Sequence, residues 1–487
     1  MTAKAKLQQL SFLLILFVLV ASVATSQTVN LFVSSKDGDR ISAKAALQFG
    51  DEQSTGDPGT PSFEVNDAIH YQTIDGFGAS LLEAGLVVLN ALPPDEQERV
   101  LRSLFDLKQG AGFSAMKTEI AATDFQSAGP WYTYDDTPGD IELKNFSIAR
   151  DLRPDGMATF INRARKYGSF VLQSPMDYPP DWMLFDVNNN QDVDPKYFST
   201  LARYYVRYLE EYQKVGIFID YLSLFNEPGV YTKIPYSKIL LLLRDHVGPA
   251  LEKSGVKTKI MLSEAPDRED AYKNYPTVLD DPVARKYVAV VPYHGYDFKD
   301  YAKIAELKKH YSDLPFWMTE VCYAYEAGTP KSMALPVYAF EDGGFWGNQI
   351  FNDLESGSSA WIYWNMILDE KGGPWAISPI HGNPDPNAQH PVVIINRQTK
   401  QVSYTGLYYY LTHFSKFVRP GAVRVQTTGV LDGVRAISFR GPDRNFISEL
   451  MNNRKDDVEI KLLFRRRAVR IKLPAVSITS VIWSAPS

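Results

Sequence analysis

Between Tyr71 and Met366, eight short apolar runs rich in β-branched and aromatic residues recur, each separated from the next by a segment of helical spacing. They begin near Tyr71, Phe113, Ser169, Tyr221, Thr258, Tyr287, Pro315 and Ser358. Parallel strands need a crossover between them, most often a helix, so eight such alternations predict a closed (β/α)₈ TIM barrel. One connecting helix is particularly well marked. It follows Asp194-Pro195, a capping residue with proline at the first helical position, and carries the stripe Leu201, Tyr205, Tyr208, Tyr212 before Gly216. The rival doubly wound sheet is not favoured, because Asp75-Gly76-Phe77-Gly78-Ala79-Ser80 lacks the dinucleotide-binding spacing after the first run.

Both chain ends have a different texture. Beyond Gly421, six short strand-like runs with turn residues between them read as a β-sandwich, the last being Ile478 to Trp483. Val29 to Leu47 is also strand-like, and a polar Gly/Pro stretch follows it. The expected organisation is therefore a signal peptide at 1–26, a sandwich arm at 27–66, the barrel at 67–420 and the rest of a discontinuous side domain at 421–487.

Two strings point to chemistry. Asn226-Glu227-Pro228 follows Tyr221-Leu222-Ser223-Leu224-Phe225, and Thr319-Glu320-Val321 follows Pro315-Phe316-Trp317-Met318. Each puts a glutamate at the end of a buried strand, which in a barrel is the end that carries catalytic residues. Two facing carboxylates are what glycosidic bond hydrolysis requires: one protonates the leaving oxygen, the other deals with the anomeric carbon. Asn226 beside the acid can hydrogen-bond a sugar 2-hydroxyl.

The formal net charge of -6 argues against a nucleic-acid partner. Arg465-Arg466-Arg467 is the one basic run, expected on a strand's solvent side. Lys4 and Lys6, an apolar core from Leu10 to Val20 and Ala24-Thr25-Ser26 form a secretory pattern, so a secreted or periplasmic location is expected, with no stable membrane insertion after cleavage. Cys322 is the single cysteine, which excludes an internal disulfide. The histidines show no paired metal-ligand spacing, and no metal or other cofactor is expected.

Several strings together carry a resemblance: Thr73-Ile74-Asp75-Gly76-Phe77-Gly78-Ala79, Tyr132-Thr133-Tyr134-Asp135-Asp136-Thr137-Pro138, Asn145-Phe146-Ser147, Asn226-Glu227-Pro228, Thr319-Glu320, Trp364-Asn365, Gly372-Gly373-Pro374 and His413-Phe414-Ser415-Lys416-Phe417. The chain resembles glycoside hydrolase family 30, within it the glucosylceramidase-like branch. The resemblance implies a barrel with a sandwich built from both chain ends. It also implies a retaining β-glycosidase with Glu227 as acid/base and Glu320 as nucleophile. Asp124 resembles a residue that binds sugar hydroxyls, His294 and Tyr296 a pair lining the nucleophile's side, and Trp364 a tryptophan beneath the sugar. Lys117 and Met176 stand where that branch usually carries arginine and tryptophan. A planar fork and a rigid ring are thereby lost, which alters the expected hold on substrate. The expected partner is a β-glycoside or glycolipid, with a glucosylceramide-like lipid first. A β-1,6-glucanase or β-xylosidase of the same family is the alternative, and a non-catalytic glycan-binding relative is the reading from another class. The double-displacement reading sets the two carboxyl groups about 5–5.5 Å apart.

Overall fold

The computed structural model describes residues 27–52, 59–123, 125–127, 132–185, 192–230, 232–323, 339–374 and 388–484. The expected signal peptide at 1–26 and Asp124 lie outside them. Eight strands, Gly76–Ser80, Ala115–Lys117, Val171–Ser174, Tyr221–Ser223, Lys259–Met261, Val288–His294, Phe316–Glu320 and Ser358–Asn365, close into one barrel in sequence order. Every neighbouring pair is parallel. We number them barrel strands 1 to 8. Each falls within one of the eight apolar runs.

Inside the barrel, Ala115, Met261, Val290, Trp317, Ala360 and Ile362 pack into a buried plug. A wide outer core joins the barrel to its helices. Small side chains set the barrel's tightness. A Cβ on Gly78 would lie 2.1 Å from the Ala115 carbonyl oxygen, so barrel strand 1 can approach strand 2 only as glycine. The helix Phe198–Lys214 forms where its stripe predicts, with Leu201, Tyr205, Tyr208 and Tyr212 all buried. Asp194 caps the short turn before it by accepting from the Lys196 amide at 3.1 Å, and Gly216 follows at φ +80°.

The chain ends build a second, 11-stranded sheet in which Thr28–Ser35 pairs with Ser477–Ser484. Its two halves fold over a shared core: Phe464 lies 4.7 Å from Phe446 and 5.4 Å from Trp483, ring centre to ring centre. The six C-terminal strands lie where the sequence places them. Three details differ from expectation. The strand Ser62–Thr73 pairs with Val423–Thr428, so the N-terminal arm runs past residue 66 and the first apolar run divides between the two domains. Arg465 and Arg466 are not on a strand face; at φ +50° and +63° they make the turn of a hairpin, and Arg465 pairs with Asp67 at 2.5 Å. A three-stranded sheet of Ile367–Asp369, Val393–Ile395 and Val402–Tyr404 also follows barrel strand 8.

Barrel and side sheet meet at a buried polar cluster. His413, on the helix Gly406–Phe417, bonds the Ser480 hydroxyl at 2.7 Å and the Ser34 hydroxyl at 3.0 Å. Ser480 donates to the Glu449 carboxyl at 2.7 Å. Burial pushes Glu449 up to about 8 despite that hydrogen bond, and pushes His413 down to about 3. The cluster therefore carries no net charge in the neutral range, with Glu449 protonated. A folded value above the unfolded one means stability that is complete below the unfolded value and is lost as pH rises through about 8. Urea unfolding at pH 5 and pH 8.5 should show the wild-type chain losing about 2–4 kcal/mol more than Glu449→Gln. Equal losses would mean that Glu449 carries no proton in the folded protein.

Candidate active site

The C-terminal ends of six barrel strands deliver charged or aromatic side chains to one place. Strand 2 ends in Lys117, with Glu119 two residues on. Strand 4 leads to Asn226 and Glu227, strand 5 to Glu264, strand 6 to His294 and Tyr296, strand 7 to Glu320 and strand 8 to Trp364. Strand alternation puts Lys117 and Glu119 on the same side, because residues two apart face alike. The loop after strand 4 is pinned by its backbone. Asn226 donates its amide to the Met176 carbonyl at 2.8 Å, and Glu227 donates to the Glu264 carbonyl at 2.9 Å. Glu227 itself sits at φ +44°, a strained conformation for a non-glycine residue and one that clusters at functional sites.

Lys117 organises the cluster. Its ammonium is completely buried and donates to Glu320 Oε2 at 2.5 Å, Asn226 Oδ1 at 2.9 Å and Glu264 Oε2 at 3.2 Å. It lies 3.3 Å from Glu119 Oε1 and 4.9 Å from the centre of a Trp364 ring. Tyr296 donates to the other Glu320 oxygen at 2.7 Å. His294 bridges the remaining carboxyls, Nδ1 to Glu227 at 2.7 Å and Nε2 to Glu264 at 3.1 Å. One oxygen of Glu227, one of Glu320 and one His294 nitrogen all lie within 4.8 Å of one another.

Burial pushes the Glu227 carboxyl above its ordinary value, more strongly than His294 pulls it down. Burial also acts on Glu264, but Lys117 and His294 overcome it and hold that carboxyl at about 2. Burial alone would lower His294; the Glu320 charge and the hydrogen bonds to Glu227 and Glu264 raise it to about 9 instead. At neutral pH the ring is therefore an imidazolium with both nitrogens donating. Lys117 is likewise raised, because Glu119, Glu264 and Glu320 together outweigh burial. Glu227, His294 and Glu320 are the one group of donors close enough to ligate a cation among the described residues. The place a cation would take on Glu320 is already held by the Lys117 ammonium, so this donor set does not call for a metal.

The structure thus brings together Glu227, Glu320, Lys117, Asn226, His294, Tyr296 and Trp364. Met176 contributes differently from what the sequence suggests. Its carbonyl holds Asn226, while its sulfur lies 3.5 Å from the Tyr205 hydroxyl on the helix outside the strands. Glu264 and Glu119 were not singled out from the sequence. Glu264 carries the same signal as the catalytic candidates, a glutamate one residue beyond the apolar run Ile260-Met261-Leu262, after Ser263.

Comparisons agree with this geometry. Residues 74–418 match the family model for the glycosyl hydrolase family 30 TIM-barrel domain. An endo-1,6-beta-D-glucanase of Neurospora crassa is 30% identical over 495 residues, covering 93% of this chain and 96% of that protein. The lysosomal acid glucosylceramidase of Mus musculus is 25% identical over 416 residues, covering 80% and 77%. Among solved structures, an endo-beta1,6-glucanase superposes with a TM-score of 0.79 at 23% identity, covering 94% of this chain and all of that one. SrfJ from Salmonella typhimurium gives 0.81 at 20% identity, with the same coverage. These two structural likenesses establish the fold. With its barrel and more than half its length matched, the chain belongs to glycosyl hydrolase family 30 and is a glycoside hydrolase.

Proposed function

We propose that the protein is a retaining β-glucoside hydrolase that cleaves β-1,6-glucan by double displacement, outside the cell or in the periplasm. The observation that carries the mechanism is the carboxyl pair. Glu227 and Glu320 offer oxygens within 4.8 Å of each other, close to the ~5–5.5 Å of retaining enzymes and short of the ~6.5–9.5 Å that inverting enzymes keep for a water. Glu227, raised by burial, is the group suited to give a proton. Glu320 receives hydrogen bonds on both oxygens from Lys117 and Tyr296, which aim it as the nucleophile.

The steps then follow. A Glu320 oxygen bonds to the anomeric carbon as the bond to the leaving oxygen breaks, and the Glu227 proton passes to that oxygen. Glu227, now a carboxylate beside the His294 imidazolium, takes a proton from a water whose oxygen bonds to the anomeric carbon as the ester bond to Glu320 breaks. This releases the sugar, restores the Glu320 carboxylate and returns the proton to Glu227. Lys117 occupies the Asn226 carbonyl oxygen, so the amide NH₂ is left to donate to the sugar 2-hydroxyl. Trp364, its ring centre 4.9 Å from the Lys117 ammonium, is the ring we assign to the floor beneath the pyranose.

For the substrate, the Neurospora crassa relative supports β-1,6-glucan, since the match runs nearly end to end in both chains. The sequence expectation put a glucosylceramide-like lipid first, and the Mus musculus relative keeps that as a second reading. The secretory pattern at the N-terminus suits a polysaccharide met outside the cytoplasm.

Two experiments test these assignments. In Glu320→Ala, turnover of all substrates should cease, and azide should yield a product of inverted configuration. In Glu227→Ala, an aryl glucoside with a good leaving group should still glycosylate Glu320, and azide should rescue turnover with retention. Exchanged configurations would reverse the two roles. On a panel of linear β-1,6-glucan, β-1,3-glucan, β-1,4-xylan and glucosylceramide micelles, kcat/KM should be highest on β-1,6-glucan by roughly tenfold or more, about 1.4 kcal/mol of transition-state preference. Faster hydrolysis of glucosylceramide would favour the second reading.

A further inference from the structure

Four carboxyl groups at the barrel mouth, those of Glu119, Glu227, Glu264 and Glu320, share two cationic side chains, Lys117 and His294. Three of the four accept at least one hydrogen bond from these cations. Glu119 accepts none: its side chain is 1% exposed, Lys117 Nζ lies 3.3 Å from its Oε1, and neither of its oxygens has a hydrogen-bond partner. A buried carboxyl left in this state costs free energy and requires an explanation. The reason lies in Lys117, whose three N–H groups are already directed at Asn226, Glu264 and Glu320. Glu119 is a fourth acceptor facing three donors. Burial pushes Glu119 well above the ordinary carboxyl range, and the charges of Asp177, Glu264 and Glu320 push the same way against Lys117.

We propose that Glu119 is a positioning residue for the glycosyl-enzyme stage: when Glu320 becomes an ester, the Lys117 ammonium turns the N–H it loses there to Glu119. The inference rests on the double-displacement reading. Glycosylation moves a negative charge from Glu320 to Glu227, since the nucleophile's charge enters the new C–O bond while the proton leaves Glu227 with the aglycone. Lys117 then remains buried, with its shortest contact no longer to an anion. Asn226 is neutral and Glu264 is already bonded to both cations. Among the described residues, Glu119 is the one other side-chain carboxyl group within 4.0 Å of the ammonium.

This role has a kinetic signature. The glycosyl-enzyme gains the whole benefit of Glu119. The two flanking transition states, in which Glu320 keeps part of its charge, gain only a fraction. Removing Glu119 should therefore slow formation of the intermediate and speed its breakdown, whereas loosening the site would slow both. The experiment uses a 2-deoxy-2-fluoro-β-glucoside with an activated leaving group, comparing wild-type protein with Glu119→Leu and Glu119→Gln. In the Leu variant, inactivation should be about three- to tenfold slower and reactivation about three- to tenfold faster, the range expected for one charge-assisted hydrogen bond felt in part. The isosteric Gln variant should move both rates the same way by less, and it decides the matter where the Leu variant does not fold. Parallel slowing of both rates, or no change in either, would overturn the role of Glu119 alone. A wild-type protein that forms no covalent adduct would overturn the double-displacement reading, and this inference with it.

Discussion

A completely buried ammonium, that of Lys117, governs the charge arrangement at the mouth of the barrel. Removing a charge from water costs several kcal/mol unless it is paired and hydrogen-bonded, and Lys117 meets that condition by drawing side chains from four other strand ends. Asn226, Glu264 and Glu320 accept hydrogen bonds from its three N–H groups, Glu119 stands beside them, and Trp364 covers it. Its presence lowers Glu264, and the His294 imidazolium, raised by Glu320, Glu227 and Glu264 against burial and the Lys117 charge, holds Glu227. Burial raises Glu227, while hydrogen bonds from Lys117 and Tyr296 hold both oxygens of Glu320.

The barrel makes such convergence possible. Eight parallel strands end on one rim, so residues far apart in sequence become neighbours without any long loop. Short parallel registers hold that rim in place; His294 on strand 6 lies opposite Glu320 on strand 7. Gly78 allows the close approach of the first two strands, and the position of Lys117 depends on it. The side domain, built from both ends of the chain, closes on the helix Gly406–Phe417 through the neutral cluster of His413, Ser480 and Glu449. That interface ties the chain ends to the barrel through packing and hydrogen bonds, as a chain with one cysteine must.

Much of this could be read in the sequence because strand periodicity and crossover rules are strong signals. The eight apolar runs located every barrel strand, and the six C-terminal strands stand where their turn residues place them. Glutamate at the end of a buried run located Glu227 and Glu320. The same signal stands at Glu264, but two-carboxylate logic assigns no role to a third acid. Glu119 was hidden for another reason: its meaning depends on Lys117 having more acceptors than protons, a fact of three-dimensional geometry. Met176 shows the opposite error. Its position beside the site was legible, yet the sequence could not show that its sulfur turns toward Tyr205. The arginine run was misplaced because left-handed backbone at Arg465 and Arg466 makes a turn that residue type alone does not announce.

Lys117 in place of arginine changes how Glu320 is held. A compact ammonium can shift between acceptors, whereas a planar fork is committed to its partner. The central claim is that Glu227 and Glu320 act from opposite faces of one anomeric carbon, each displacement inverting it. The most direct measurement is proton NMR of the first anomer released from a β-1,6-glucan, recorded before mutarotation. Double displacement predicts that the new reducing end appears as the β-anomer. Initial release of the α-anomer would mean a single displacement by water and would contradict the account.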